Sequence, residues 1–245
     1  MAQPSDALSS KRIPREDRLI LALDLPTPAE ALALVDRLGD SVCFYKLGLE
    51  LLMAGNYFEL LRELAGRGKK IFADLKFFDV PETVAAAVRQ LKEHPAEFVT
   101  VHGNDSILRA AAGAREGSAL KVLGVTVLTS LDRGDLDDLG FSVSVEELVL
   151  SRARRALEAG CDGVISSGLE ARALRASLGD RFLVVTPGIR PVDNRSQDDQ
   201  KRVMTPADAF RAGADYIVVG RPVRNAADPR AAAEGIQKTI AELFA

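Results

Sequence analysis

Residues 70–102 read KIFADLKFFDVPETVAAAVRQLKEHPAEFVTVH: an apolar run that ends in charge, a Pro-led segment of helical period, and a second apolar run. The first run ends at Lys76 and the second at His102, and the pattern between them predicts a helix over Pro81–Glu93. Upstream, LILALD ends at Asp24 and VCFYKLG passes through Lys46. Downstream, KVLGVTVLTS ends near Ser130, DGVISS at Ser167, FLVVTPG at Gly188 and DYIVVGR at Arg221. Helical periods occupy Pro28–Leu38, Leu49–Arg67, Ser106–Arg115, Val145–Ala159, Leu169–Ser177, Pro206–Ala212 and Asp228–Phe244, several opening on Pro or a small polar residue as helix starts do. Near-continuous apolar strands joined by helices imply a parallel sheet covered by helices, and a count of eight closes a TIM-type (β/α)8 barrel. The expected fold is therefore α/β, one barrel domain over residues 18–245, with an open doubly wound sheet as the alternative.

The chain's 245 residues suit one such barrel, and 47% hydrophobic content with a net charge of −3 excludes a disordered chain and a basic nucleic-acid surface. Any anion it binds must be gripped locally. Cys43 and Cys161 lie far apart in or beside apolar runs with no C-x-x-C pair, the pattern of reduced, buried thiols in a cytoplasmic protein. Residues 1–17, MAQPSDALSSKRIPRED, lack the apolar stretch of a secretory leader and read as a loose tail. No run approaches the roughly 18 apolar residues of a membrane span.

Side chains alternate faces along a strand, so Asp74 and Lys76 point the same way, and Asp79 follows just past the turn. The group reads as an ionic array at an active site or as a structural ion pair. In barrels of this class the chemistry gathers where strands end, which draws in Asp24, Lys46, Asp74, Lys76, His102, Thr129, Arg190 and Arg221. Unpaired buried charge is costly, so these groups should pair with one another or meet a ligand. Gly220 and Arg221, after the eighth run, read as a phosphate grip or as a turn glycine beside a surface arginine. Two connections are long, Leu131–Ser144 and the polar stretch Arg190–Thr205; the second reads as a lid carrying Arg190 and Gln200. His94 reads as an exposed helix-end residue, and the two histidines form no metal cluster, although a magnesium ion on carboxylates stays open. Neither a Ser-His-Asp set nor a G-x-G-x-x-G fingerprint occurs, which argues against hydrolase and nicotinamide chemistry.

Six ordered blocks carry a family resemblance: ALDLP at 22–26, YKLGLE at 45–50, DLKFFDVPET at 74–83, VTVLTS at 125–130, TPGIRP with DQKRVMTP at 186–206, and VVGRPV at 218–223. Over nearly its whole length the chain resembles the orotidine 5'-phosphate decarboxylases. The resemblance implies a homodimer of barrels that needs no cofactor and completes its site across the interface. It makes Lys46, Asp74, Lys76 and Asp79 the catalytic array, with Lys76 the proton donor and Asp79 and Thr83 reaching the partner's site. It also implies that Asp24 and Lys46 bond the ribose, that Thr129 touches the pyrimidine, and that Arg190, Gln200, Gly220 and Arg221 hold the phosphate. Phe78 and Glu82 stand where histidine and asparagine are common in bacterial relatives. Alternatives are a magnesium-dependent sugar-phosphate decarboxylase or aldolase of the same barrel class, and a non-catalytic nucleotide-binding barrel.

Overall fold

The computed structural model describes residues 7–190 and 203–245. Eight parallel strands close on themselves, each paired with its sequence neighbour and the eighth with the first: β1 Leu19–Ala22, β2 Phe44–Leu47, β3 Lys70–Phe77, β4 Phe98–Val101, β5 Lys121–Val125, β6 Gly163–Ile165, β7 Leu183–Thr186 and β8 Tyr216–Val219. The outer helices are α1 Pro28–Leu38, α2 Leu49–Met53, α3 Tyr57–Gly66, α4 Pro81–Leu91, α5 Asp105–Ala114, α6 Arg133–Asp138, α7 Val145–Glu158, α8 Gly168–Leu178, α9 Pro206–Arg211, α10 Arg221–Arg224 and α11 Pro229–Leu243. The (β/α)8 barrel is thus the observed fold, and the open sheet is set aside by the β1–β8 pairing.

Alternation along the strands builds two apolar layers. Leu19, Leu21, Tyr45, Ile71, Val99, Ile217 and Val219 pack outward against the helices, while Ile20, Phe44, Phe72, Phe98, Leu123, Val185 and Tyr216 fill the barrel itself. The rings of Phe44, Phe98 and Tyr216 meet at centroid distances of 5.1, 5.2 and 6.0 Å. Each such ring, removed from water, contributes about 1.5–3 kcal/mol. The interior is therefore a plugged core, and ligands are confined to the rim above it.

Local sequence sets the helix ends. Thr27 accepts a hydrogen bond from Glu30 N at 3.2 Å and Pro28 opens α1, while Asp132 and Ser144 close capping boxes with Asp135 and Glu147. The second of these boxes starts α7, and the first starts α6 inside the stretch 131–144 that reads in sequence as a long loop. The single helix expected over Leu49–Arg67 is two, because Gly55 and Asn56 adopt positive φ angles of 85° and 56°.

The loose tail expected over residues 1–17 is corrected for its described part. Ala7 N donates to Arg211 O at 2.9 Å, and Arg15–Arg18 forms a 3-10 turn with Asp17 and Arg18 buried. The anchor is Asp215, fully buried before β8, which accepts from Ser9 Oγ, from Lys11 Nζ at 3.1 Å, from Arg175 Nη2 at 2.7 Å and from Val184 N at 2.9 Å. A carboxylate without water needs such donors, and two of them come from the N-terminal segment. That segment is strapped beneath the barrel, opposite the strand ends that carry the charges.

Candidate active site

Three strands repeat one device. An aromatic residue fills the barrel layer, and two residues later, one storey higher on the same face, stands a polar one: Phe44 and Lys46, Phe72 and Asp74, Phe98 and Thr100. Lys46 and Asp74, with Asp24 just beyond β1, line a cavity of about 250 Å3 over the aromatic plug, and Thr100 stands behind Asp74, outside the lining.

The charges are paired in sequence. Lys46 Nζ lies 2.9 Å from Asp24 Oδ1 and 3.2 Å from Asp74 Oδ2, while Lys76 Nζ donates to Asp74 Oδ1 at 2.8 Å. Thr100, wholly buried, donates its hydroxyl to the same Oδ1 at 2.9 Å. Burial alone would raise the pKa of Asp74, but Lys46, Lys76 and the hydrogen bonds from Lys76 and Thr100 outweigh it and hold the carboxyl below its ordinary value. Burial works against the charge on Lys46 as well, and Asp74 and Asp24 overcome it, so its pKa is raised. The result is a carboxylate clamped between two ammonium groups. Room for the outer pair depends on Gly48, where a Cβ would stand 3.2 Å from Asp24 Oδ1 and 3.3 Å from Lys46 Nζ.

Lys76 reaches this position by leaving the regular strand. Its φ is 46°, left-handed for a non-glycine residue, and the β3–β4 register shifts between Ala73 and Phe77. Plain alternation predicts that Asp74 and Lys76 share a side, and they do, but through this irregularity rather than through an ideal pleat.

The opposite wall brings in later strands. Thr129, Gly188, Arg190, Gly220 and Arg221 all line the cavity; Arg190 is buried, and Ile189 beside it bridges to Met204. Arg224 also lines it, donating to the backbone carbonyl of Asp24 and so tying the end of β8 to the end of β1. Of the residues expected at the site, Asp24, Lys46, Asp74, Lys76, Thr129, Arg190, Gly220 and Arg221 are brought together. Asp79 and Thr83 are not: both are exposed and outside the cavity lining of this single chain, and Asp79 Oδ1 accepts a hydrogen bond from its neighbour Val80 N at 2.6 Å. His102 packs its ring against Phe78, 5.5 Å between centroids, and stays outside the cavity lining. Gln200 lies outside the described residues. Among the described residues no group of three His, Cys, Asp or Glu side chains stands ready for a metal.

A cavity with cations on two walls and a Lys-Asp-Lys array on its floor is set by residues from almost every strand. Residues 17–236 match the Orotidine 5'-phosphate decarboxylase / HUMPS family. The chain belongs to that family. Among curated relatives, the Orotidine 5'-phosphate decarboxylase of Methylococcus capsulatus is 62% identical over 238 residues, 97% of this chain and 98% of that protein. The Orotidine 5'-phosphate decarboxylase of Stenotrophomonas maltophilia is 51% identical over 94% of this chain and 95% of its own length. The crystal structure of Orotidine 5'-phosphate decarboxylase from Lactobacillus acidophilus superposes with a TM-score of 0.80 at 37% identity, covering 91% of this chain and 99% of that one.

Two residues of this family member escaped the reading of strand ends. Thr100 was hidden in the apolar run EFVTVH, although its place two residues after Phe98 repeats the spacing of Lys46 and Asp74. Arg224 follows the last strand by five residues and carries no periodic signal.

Proposed function

We propose that this chain decarboxylates orotidine 5'-monophosphate to UMP and CO2, the last step of pyrimidine nucleotide synthesis. The observation that carries the reading is the Lys46–Asp74–Lys76 array on the cavity floor, in a chain related over nearly its full length to enzymes of that name. Lys76 is the proton donor. The bond from ring carbon 6 to the carboxylate breaks with its electron pair left on carbon 6, CO2 departs, and the Lys76 ammonium first stabilises that pair and then gives it a proton. Lys76, left neutral, regains a proton from solvent. Asp74 holds both ammonium groups in place.

Asp24 and Lys46 bond the ribose hydroxyls and Thr129 touches the pyrimidine. Arg190, Gln200, Gly220 and Arg221 hold the phosphate, and binding energy gained there serves the chemistry at the other end of the ligand. Asp79 and Thr83 act in the site of a partner subunit of a cytoplasmic homodimer; their exposure in the single chain, next to exposed Phe78 and Val80, supports that role. The reaction as proposed uses no cofactor.

The test is the fall in orotidylate absorbance with purified protein after exhaustive EDTA treatment. Conversion to UMP is the expected result. No conversion until magnesium is restored, or UMP binding without turnover, would overturn the proposal in favour of a metal-dependent or a non-catalytic barrel.

A further inference from the structure

A β-strand that gains residues must find new partners for the backbone groups it takes off the ladder. Between the pairs Ala73–Val99 and Phe77–Val101, β3 spends more residues than β4, and Lys76 falls inside that excess at φ 46°. Its N–H has no place in the ladder. It donates instead to Thr100 Oγ1 at 2.9 Å, and that hydroxyl in turn donates a hydrogen bond to Asp74 Oδ1 at 2.9 Å. Asp74 Oδ1 in turn accepts from Lys76 Nζ at 2.8 Å. These three bonds close a ring that starts at the backbone of Lys76, crosses to β4 and returns to the ammonium of the same residue.

We infer that Thr100 is a positioning residue: its hydroxyl fixes the left-handed backbone of Lys76 and the orientation of Asp74 together, so that the ammonium is held over the cavity. The inference rests on the proposed role of Lys76. Thr100 does not line the cavity and so acts on the ligand through its two neighbours. It is fully buried above Phe98, where valine would fill the same space without either hydrogen bond and serine would keep both bonds without the methyl group. The charged or titratable groups facing the ring are Asp24 just past β1, Lys46 on β2, Asp74 and Lys76 on β3, Tyr57 on α3, which the Asp74 charge reaches, and His102 just past β4, which the Lys76 charge reaches.

The experiment compares Thr100→Val, Thr100→Ser and Lys76→Ala for kcat, KM, pH profile and UMP affinity. Hydrogen bonds to charged groups have the strength to give Thr100→Val a loss of roughly 10- to 100-fold in kcat. KM and UMP affinity should hold within about twofold, since no contact with the ligand is removed. The acid limb of kcat should move to higher pH, because Asp74 loses a donor to its charged form. Thr100→Ser should recover most of the loss. Normal kcat and pH profile in Thr100→Val beside an inactive Lys76→Ala would overturn this inference alone and leave the proposed function standing. An equal loss in Thr100→Ser would also overturn it, since the methyl packing and not the hydroxyl would be at work; so would UMP affinity that falls in step with kcat. Near-normal turnover in Lys76→Ala would remove the reading on which the inference stands.

Discussion

Replacing Asp74 by asparagine keeps the shape of the side chain and removes the charge that two lysines share. At 3.2 Å, the Lys46–Asp74 attraction comes to about 5 kcal/mol at an effective dielectric near 20. Lys76 is more than a third exposed, so solvent screens its share heavily. Lys46 retains Asp24, itself 44% exposed, which offsets part of what is lost. Removing one partner of a buried pair typically costs 3–5 kcal/mol, and with that offset Asp74→Asn should lose about 3 kcal/mol. In a chain of this length such a loss lowers Tm by about 6–12 °C.

Urea and thermal unfolding of wild type and Asp74→Asn, followed across pH, provide the assay. Asp74 titrates below its ordinary range when folded, so its contribution is fully present above the unfolded pKa and disappears as pH falls through the depressed folded value. Lys46 titrates above its ordinary range, so its contribution is present below the unfolded pKa and disappears as pH rises through the raised folded value. The stability gap between the two proteins should therefore be flat from about pH 5 to 9 and narrow at both extremes. A variant as stable as wild type, or more stable, would refute the claim that the array is satisfied; it would mean that the folded protein holds these charges under strain.

Lys76→Ala should lose orders of magnitude in kcat and still bind UMP, measured by turnover and calorimetry; normal turnover would remove Lys76 as proton donor. Arg221→Ala should weaken UMP far more than uridine, and an equal effect on both ligands would move the phosphate grip away from the end of β8. Beneath the barrel, Asp215→Asn should cost about 3–5 kcal/mol in urea unfolding while kcat stays unchanged, because Lys11 and Arg175 lose a fully buried partner far from the cavity. A shift in kcat without a shift in stability would contradict that separation.

The barrel was legible because each strand is a short apolar run with a turn or a charge at its end, so eight repeats of one unit could be counted without knowing any contact. Asp24, Lys46, Asp74 and Lys76 were legible for a related reason: charge at the end of an apolar strand demands a partner. The left-handed turn at Lys76 was not, because no glycine or asparagine marks it; hydrogen bonds from another strand impose it. Thr100 was hidden by its own propensity, as threonine fits a strand interior and nothing local shows which group its hydroxyl meets. The docking of Ser9 and Lys11 onto Asp215 joins residues some two hundred positions apart, beyond any periodic signal. Asp79 and Thr83 show a different limit, since a single chain leaves both in solvent whatever a second copy does with them.

The layer of Phe44, Phe72, Phe98 and Tyr216 stops the barrel like a cork pushed halfway down a bottle neck. Under the proposed chemistry, CO2 set free above this layer cannot leave down through the barrel and departs on the side where the cavity lies. The proton that Lys76 regains comes from that same side, where its side chain is 36% exposed.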